Sequence, residues 1–228
     1  AVNYAAWSTY NYVLGNPVRF VDPDGRSVDD IIFRTKLANG NYKELGRIKT
    51  DDHCVTFDID SKHLASLNLE KISPVVVDGG DAERKGFNTQ AASLNISGEA
   101  AYKVGAQAEL SIIGMIAGPE KGEWGIALQV NRLVGLEGGV TASMSVYEPV
   151  GENRQLLLND LQGFEYGVQA DAFYNAASYF RGVEFSASPP FVKDVYQGFS
   201  VGMSTGVLEV PASGSAYIGF SAFLYKSM

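Results

Sequence analysis

The sequence predicts an all-β protein: a short extended N-terminal segment and a small hairpin module, followed by an antiparallel, glycine-rich meander that forms a β-barrel or sandwich. Three observations predict it. From about residue 93 apolar residues recur at every second position, the period of a half-buried strand. Turn-forming clusters interrupt that pattern at Gly118-Pro119, Pro149-Val150-Gly151, Ser188-Pro189-Pro190 and Pro211-Ala212-Ser213-Gly214. Glycine rises from seven in residues 1–92 to eighteen in 93–228, as tightly curved strands require.

In chain order, residues 1–26 are rich in aromatics and turns. Residues 27–90 read as short strands at Asp30–Arg34, Gly46–Thr50, Cys54–Ile59 and Ile72–Val77, with Asn39-Gly40-Asn41 as a hairpin signal. Asp78-Gly79-Gly80-Asp81 to Lys85-Gly86 reads as a linker. Residues 91–228 hold the meander. Leu94 to Ile112, Trp124 to Val130, Val140 to Val146, Phe164 to Ala172, Val183 to Ala187, Phe199 to Val207 and Ala216 to Leu224 are its alternating segments. The one helical rival is Arg154 to Leu161.

A 46% hydrophobic fraction with 19% charged residues indicates a globular chain with material for a core. No stretch is long and apolar enough for a transmembrane helix, and no signal-peptide pattern opens the chain. A single cysteine, Cys54, excludes an internal disulfide framework and a cysteine-rich zinc site. The net charge of −8 without a basic cluster argues against a nucleic-acid partner, because phosphate affinity comes from Lys and Arg.

Residues 7–26 carry the pattern Tyr10-x-Tyr12, Asn16-Pro17 and Asp22-Pro23-Asp24-Gly25. Pro17 and Pro23 keep this stretch extended or turning, and Asp22 to Gly25 suits a tight turn. The pattern resembles the closing segment of the core domain of bacterial Rhs/YD-repeat proteins. The resemblance implies that this is the last piece of a longer protein, with residues from 27 on in the place of a variable C-terminal toxin or effector. It makes Asp22 and Asp24 candidate acids of an autocleavage site. Arg26, where cleaving versions carry an apolar residue, favours a plain structural turn. It also implies a secreted or cell-surface location, delivery from bacteria in competition with others, and two partners: the upstream Rhs shell and a cognate immunity protein.

Catalytic signatures are weak. Gly198-x-Ser200-x-Gly202 and Gly202-x-Ser204-x-Gly206 match the nucleophile-elbow string, but they sit in strand-like sequence with no histidine after them. Cys54 and His63 are the remaining candidates for a nucleophile and base. In a strand from 54 to 60, Cys54, Thr56, Asp58 and Asp60 share one face, opposite His53, Val55, Phe57 and Ile59. A wet acidic hairpin strand accounts for that pattern, and no cofactor or metal motif is present. The reading is a non-enzymatic effector acting at a membrane. The alternatives are an enzymatic toxin with an unrecognised active site and a surface-displayed binding module.

Two barrels remain open, because alternation does not say which face is dry. The polar face is mostly Gly, Ser, Gln, Asn and Ala, with sparse charges at Glu99, Lys103, Glu109, Glu165, Asp171 and Glu184. Small polar residues inside and apolar ones outside is the arrangement of a membrane barrel, with Tyr147, Tyr174, Tyr196 and Tyr225 as interfacial aromatics. The expectation adopted is the soluble one. The even-numbered apolar residues of 124–130, 164–172 and 216–224 should enclose a core, so Leu128→Asp or Phe220→Asp should bury an unpaired carboxylate.

Overall fold

The computed structural model describes residues 30–50, 55–64, 74–78, 88–151, 154–172, 175–188, 191–206 and 212–227. Of these, 76% lie in strands, in two sheets. The first sheet runs β3-β1-β2-β4 and is built from Asp30–Lys36 (β1), Tyr42–Lys49 (β2), Val55–Ile59 (β3) and Val75–Asp78 (β4). β1 and β2 form the hairpin read from Asn39-Gly40-Asn41; Gly40 sits at φ 85°, and the Asn41 amide donates to Asn39 Oδ1 at 3.0 Å. β3 and β4 add to its two edges in parallel.

The alternation of these strands is a burial pattern. Ile31, Phe33, Ile48, Val55, Phe57 and Ile59 are buried, while Thr56 and Asp58 face out, and Asp58 pairs with Arg34. Phe33 and Phe57 stack with centroids 5.0 Å apart. The buried face continues onto Ala92, Leu94, Ile112, Ile126 and Met144 of the second sheet and Ile116 just past β5. Gly114 makes this docking close, since a Cβ there would lie 2.3 Å from the Phe57 ring.

The second sheet is a closed antiparallel barrel of Ala91–Met115 (β5), Trp124–Pro149 (β6), Gly163–Ala172 (β7), Asn175–Phe185 (β8), Val192–Gly206 (β9) and Ala212–Lys226 (β10). β6 is one strand of 26 residues where two were expected. It pairs with β5 throughout, with β10 along its first half and with β9 along its second. The β10–β6 pairing closes the sheet into a seven-stranded barrel.

The hairpin of β5 and β6 doubles back in the middle. Lys103 has φ 71°, and a Cβ on Gly105 would lie 2.4 Å from Ala101 Cα. On β6, Gly135 sits at φ 152°, where a side chain would strike Ser215 of β10. One end of the barrel is therefore this bend, together with the ladder ends Ala172–Asn175 and Gly139–Gly206.

The opposite end is stoppered by the stretch that gave the helical signal. Residues 154–157 form no regular element, Leu157 is extended, and Leu158–Leu161 form one 3-10 turn. Leu156, Leu158 and Leu161 are buried with the inward-facing Ala91, Ile113, Met115, Tyr147 and Tyr196. The backbone of the stopper is held where it enters its turn. Gln90 Oε1 accepts from the Leu156 amide at 2.7 Å, and Glu120 Oε2 from the Leu158 amide at 2.6 Å.

Candidate functional site

The barrel is turned the opposite way from the soluble expectation. Leu128 is 40% exposed, Phe220 50% and Val168 56%, with Val130, Phe164, Tyr166, Ile218 and Leu224 also on the outside. The buried side belongs to Asn95, Ser97, Glu99, Gln107, Gln129, Asn131, Thr141, Ser143, Ser145, Glu165, Ser200 and Ser204. A strand places successive side chains on opposite faces, so the whole apolar set faces out once the polar set faces in.

What makes that interior stable is hydrogen bonding. Glu165 accepts from Gln129 Nε2 at 2.9 Å, Tyr217 OH at 2.9 Å and Tyr196 OH at 3.1 Å. Gln129 also donates to Asn131 Oδ1 at 3.0 Å, and Asn131 Nδ2 to Gln107 Oε1 at 2.6 Å. Gln107 Nε2 donates to Glu99 Oε2 at 2.7 Å, and Thr141 Oγ1 to Glu99 Oε1 at 3.0 Å. One chain of contacts thus links β5, β6, β7, β9 and β10 through the middle of the lumen. Each buried polar group in it has its desolvation offset by a partner.

Space is divided between large and small side chains. The cross-strand partners Tyr217, Gly167, Phe180, Gly198 and Tyr147 alternate large and small along the inside of the barrel. Such alternation fills a narrow barrel. The remaining cavity is about 40 Å³, lined by Glu99, Glu109, Glu165 and Asp171 among others, with no Lys or Arg. That is room for a few waters and no more. A barrel this narrow is a filled core, not a channel.

Outside, one line of apolar side chains crosses the whole barrel wall. The cross-strand partners Val104, Val134, Ala216, Val168, Tyr179, Phe199 and Val146 cross every stave without a charge. The small sheet covers part of this wall, over Leu94, Met144 and Val146, and the rest is bare. Bare apolar surface on this scale marks an interaction site.

The sequence-derived catalytic candidates are not assembled into a site among the described residues. Asp22, Asp24 and Cys54 lie outside them. His63 falls in the turn Ser61–Leu64, where its side chain is not described. Ser200 and Ser204, the serines of the two elbow-like strings, are buried within β9, so neither occupies a strand-to-helix turn. Among the described residues no group of three or more His, Cys, Asp and Glu is placed to hold a metal ion.

The aromatic belt differs too. Tyr147 and Tyr196 are lumen residues, Tyr225 packs on Trp124, and Tyr174 lies outside the described residues. The exposed aromatics of the described barrel strands include Tyr102, Phe164, Tyr166, Tyr179, Phe185, Phe199 and Phe220. Comparison of the chain with protein-family models, curated proteins and solved structures finds no match.

The inversion reverses the expected mutational pattern. Leu128→Asp and Phe220→Asp place their carboxylates in solvent, so each should change stability by only about 0.5 kcal/mol. Chemical denaturation of the two variants measures it. A loss of several kcal/mol in either would return that side chain to a dry core.

Proposed function

We propose that this chain is the effector end of an Rhs-type bacterial protein, and that its barrel works at a membrane through lipid contact without a catalytic centre. The observation that carries the reading is the pairing of a hydrogen-bonded polar lumen with an apolar exterior. In water an exposed apolar wall of this extent is a liability. In a bilayer the same wall is solvated by acyl chains, and closure of the ladder leaves no unpaired strand edge in lipid. The sequence of residues 7–26 supports the Rhs assignment and, through it, a secreted or surface location, an upstream shell and an immunity partner. Before delivery the apolar wall needs a cover, and the shell is the cover this reading names.

The lumen filled by side chains, with a cavity of about 40 Å³ left among them, argues for an anchor or membrane-perturbing wedge over an open pore. The test uses the full chain of residues 1–228 with vesicles of phosphatidylethanolamine and phosphatidylglycerol. The protein should float with the vesicles in a density gradient and leave an entrapped dye inside. Protein remaining at the bottom of the gradient would end the membrane reading. Dye release in step with binding would keep the membrane and overturn the filled-lumen anchor.

A further inference from the structure

We infer that the barrel is a proton-coupled fold. Its lumen gathers Glu99, Glu109, Glu165 and Asp171 with no basic residue among them, keeps Glu109 as a neutral acid, and is therefore tightest in mild acid and looser above neutral pH. The inference concerns the lumen alone and does not depend on what the exterior meets.

The four carboxylates come from two strands that share no ladder. Glu99 and Glu109 lie on β5, Glu165 and Asp171 on β7, each at a position whose parity turns it inward. The other titratable groups facing them are Tyr147 of β6, Tyr196 of β9 and Tyr217 of β10, all buried. β8 presents Ala176, Ser178 and Phe180 to the cavity, and its basic residue Arg181 pairs on the outside with Asp194. The charges of the stopper are engaged elsewhere: Arg154 lies 4.0 Å from Asp160, and Glu120 holds the Leu158 amide. No cation among the described residues therefore faces the cluster.

Hydrogen-bond donors are shared unequally within it. Glu165 accepts from three side chains, and Glu99 accepts from Thr141, Gln107 and Gln169. Glu109 accepts from Ser111 Oγ alone among the described residues, at 3.0 Å. Its cross-strand neighbour Gln129 has no donor left for it, because that amide already serves Asn131 and Glu165. Glu109 is part-buried and lines the cavity of about 40 Å³, which is too small to rehydrate an anion. Burial and then the nearby Glu165 push its carboxyl up to about 7, against the pull of the Ser111 bond. Glu99 and Glu165 are raised too, chiefly by burial, with their hydrogen bonds opposing it. An acid raised in the folded state stabilises the fold fully below its unfolded value, and that contribution is lost as pH rises through the folded value. For Glu109 the window runs from the ordinary 4.5 to about 7. Above it, like charges on β5 and β7 share a lumen without a counter-charge.

The experiment follows urea unfolding of the full chain in lipid-free buffer from pH 5 to pH 8, by circular dichroism and tryptophan fluorescence, in the parent and in Glu109→Gln. Glutamine keeps the shape and an acceptor for Ser111 but does not ionise. The chain also has two histidines, a residue type that ordinarily titrates in this window, so the readout is the ratio of folding constants, variant to parent. That ratio should rise about a hundred-fold in favour of the variant between pH 5 and pH 8. A ratio that stays constant or falls across the range would overturn the inference. Should the variant fail to fold, infrared spectra of the native parent decide the matter. A carboxylic-acid C=O band should persist at pH 6, where exposed carboxylates are ionised, and be gone at pH 8. A native protein without that band at pH 6, or with the same band at both pH values, would equally overturn the proton-coupled lumen.

Discussion

Glu165→Ala should unfold the barrel or come close to it. Its carboxylate accepts from Gln129, Tyr196 and Tyr217, and all three donors are buried. Truncation leaves both tyrosine hydroxyls without an acceptor and Gln129 with only its bond to Asn131, in a lumen with little space for replacement water. Each orphaned hydroxyl costs about 1–3 kcal/mol, so the two together cost roughly 2–6 kcal/mol, which rivals the stability of a typical domain. Glu165→Gln keeps an acceptor oxygen and most of the volume, and should be milder. Denaturant titration of both variants gives the comparison. An alanine variant within about 1 kcal/mol of the parent would mean that the lumen network does not hold the staves together.

Much of this barrel was legible in the sequence, and the part that was not has a simple cause. Period-two alternation located the strands and sorted their residues into two sets, because the pleat leaves no other arrangement. It is symmetric between the sets, however, so Leu128 and Phe220 were consistent with either a core or an exterior. The signal that distinguishes them was in the polar set. Gln107, Gln129 and Asn131 are amides that satisfy one another, and Asn95 is satisfied by serines, whereas a wet surface favours Lys and Arg. The strand parity around Thr56 and Asp58 was legible for the same reason as the barrel strands.

The bend was not legible. Nothing in Ala100-Ala101-Tyr102-Lys103-Val104 announces a left-handed residue at Lys103, and the fold imposes it through the close approach of Gly105 to Ala101. Nor did Gly138-Gly139 end a strand, so β6 runs on where a break was expected. The stopper was half legible: Leu156, Leu158 and Leu161 broke the alternation, but their burial depends on a barrel mouth that local sequence does not describe.

The glycines of the meander fall into two kinds, and substitution should separate them sharply. Gly182 faces the lumen beside Tyr196, where a Cβ would lie 2.0 Å from the ring. The ring has little freedom to retreat, because it is buried and its hydroxyl is committed to Glu165. Gly182→Val should therefore displace Tyr196. Overpacking of about 1–3 kcal/mol is joined by the loss of a hydrogen bond to a carboxylate worth about 1.5–3 kcal/mol. Gly98 lies on the exterior with nothing within 4 Å of its would-be Cβ, and Gly98→Val should be neutral or slightly stabilising through strand propensity. The coupling can be isolated by adding Tyr196→Ala to each variant. With the ring removed, Gly182→Val should lose most of its penalty, giving a double-mutant interaction of about 1–3 kcal/mol, whereas Gly98→Val should add independently. Additive behaviour at Gly182 would show that its small size serves the backbone and not the ring across from it.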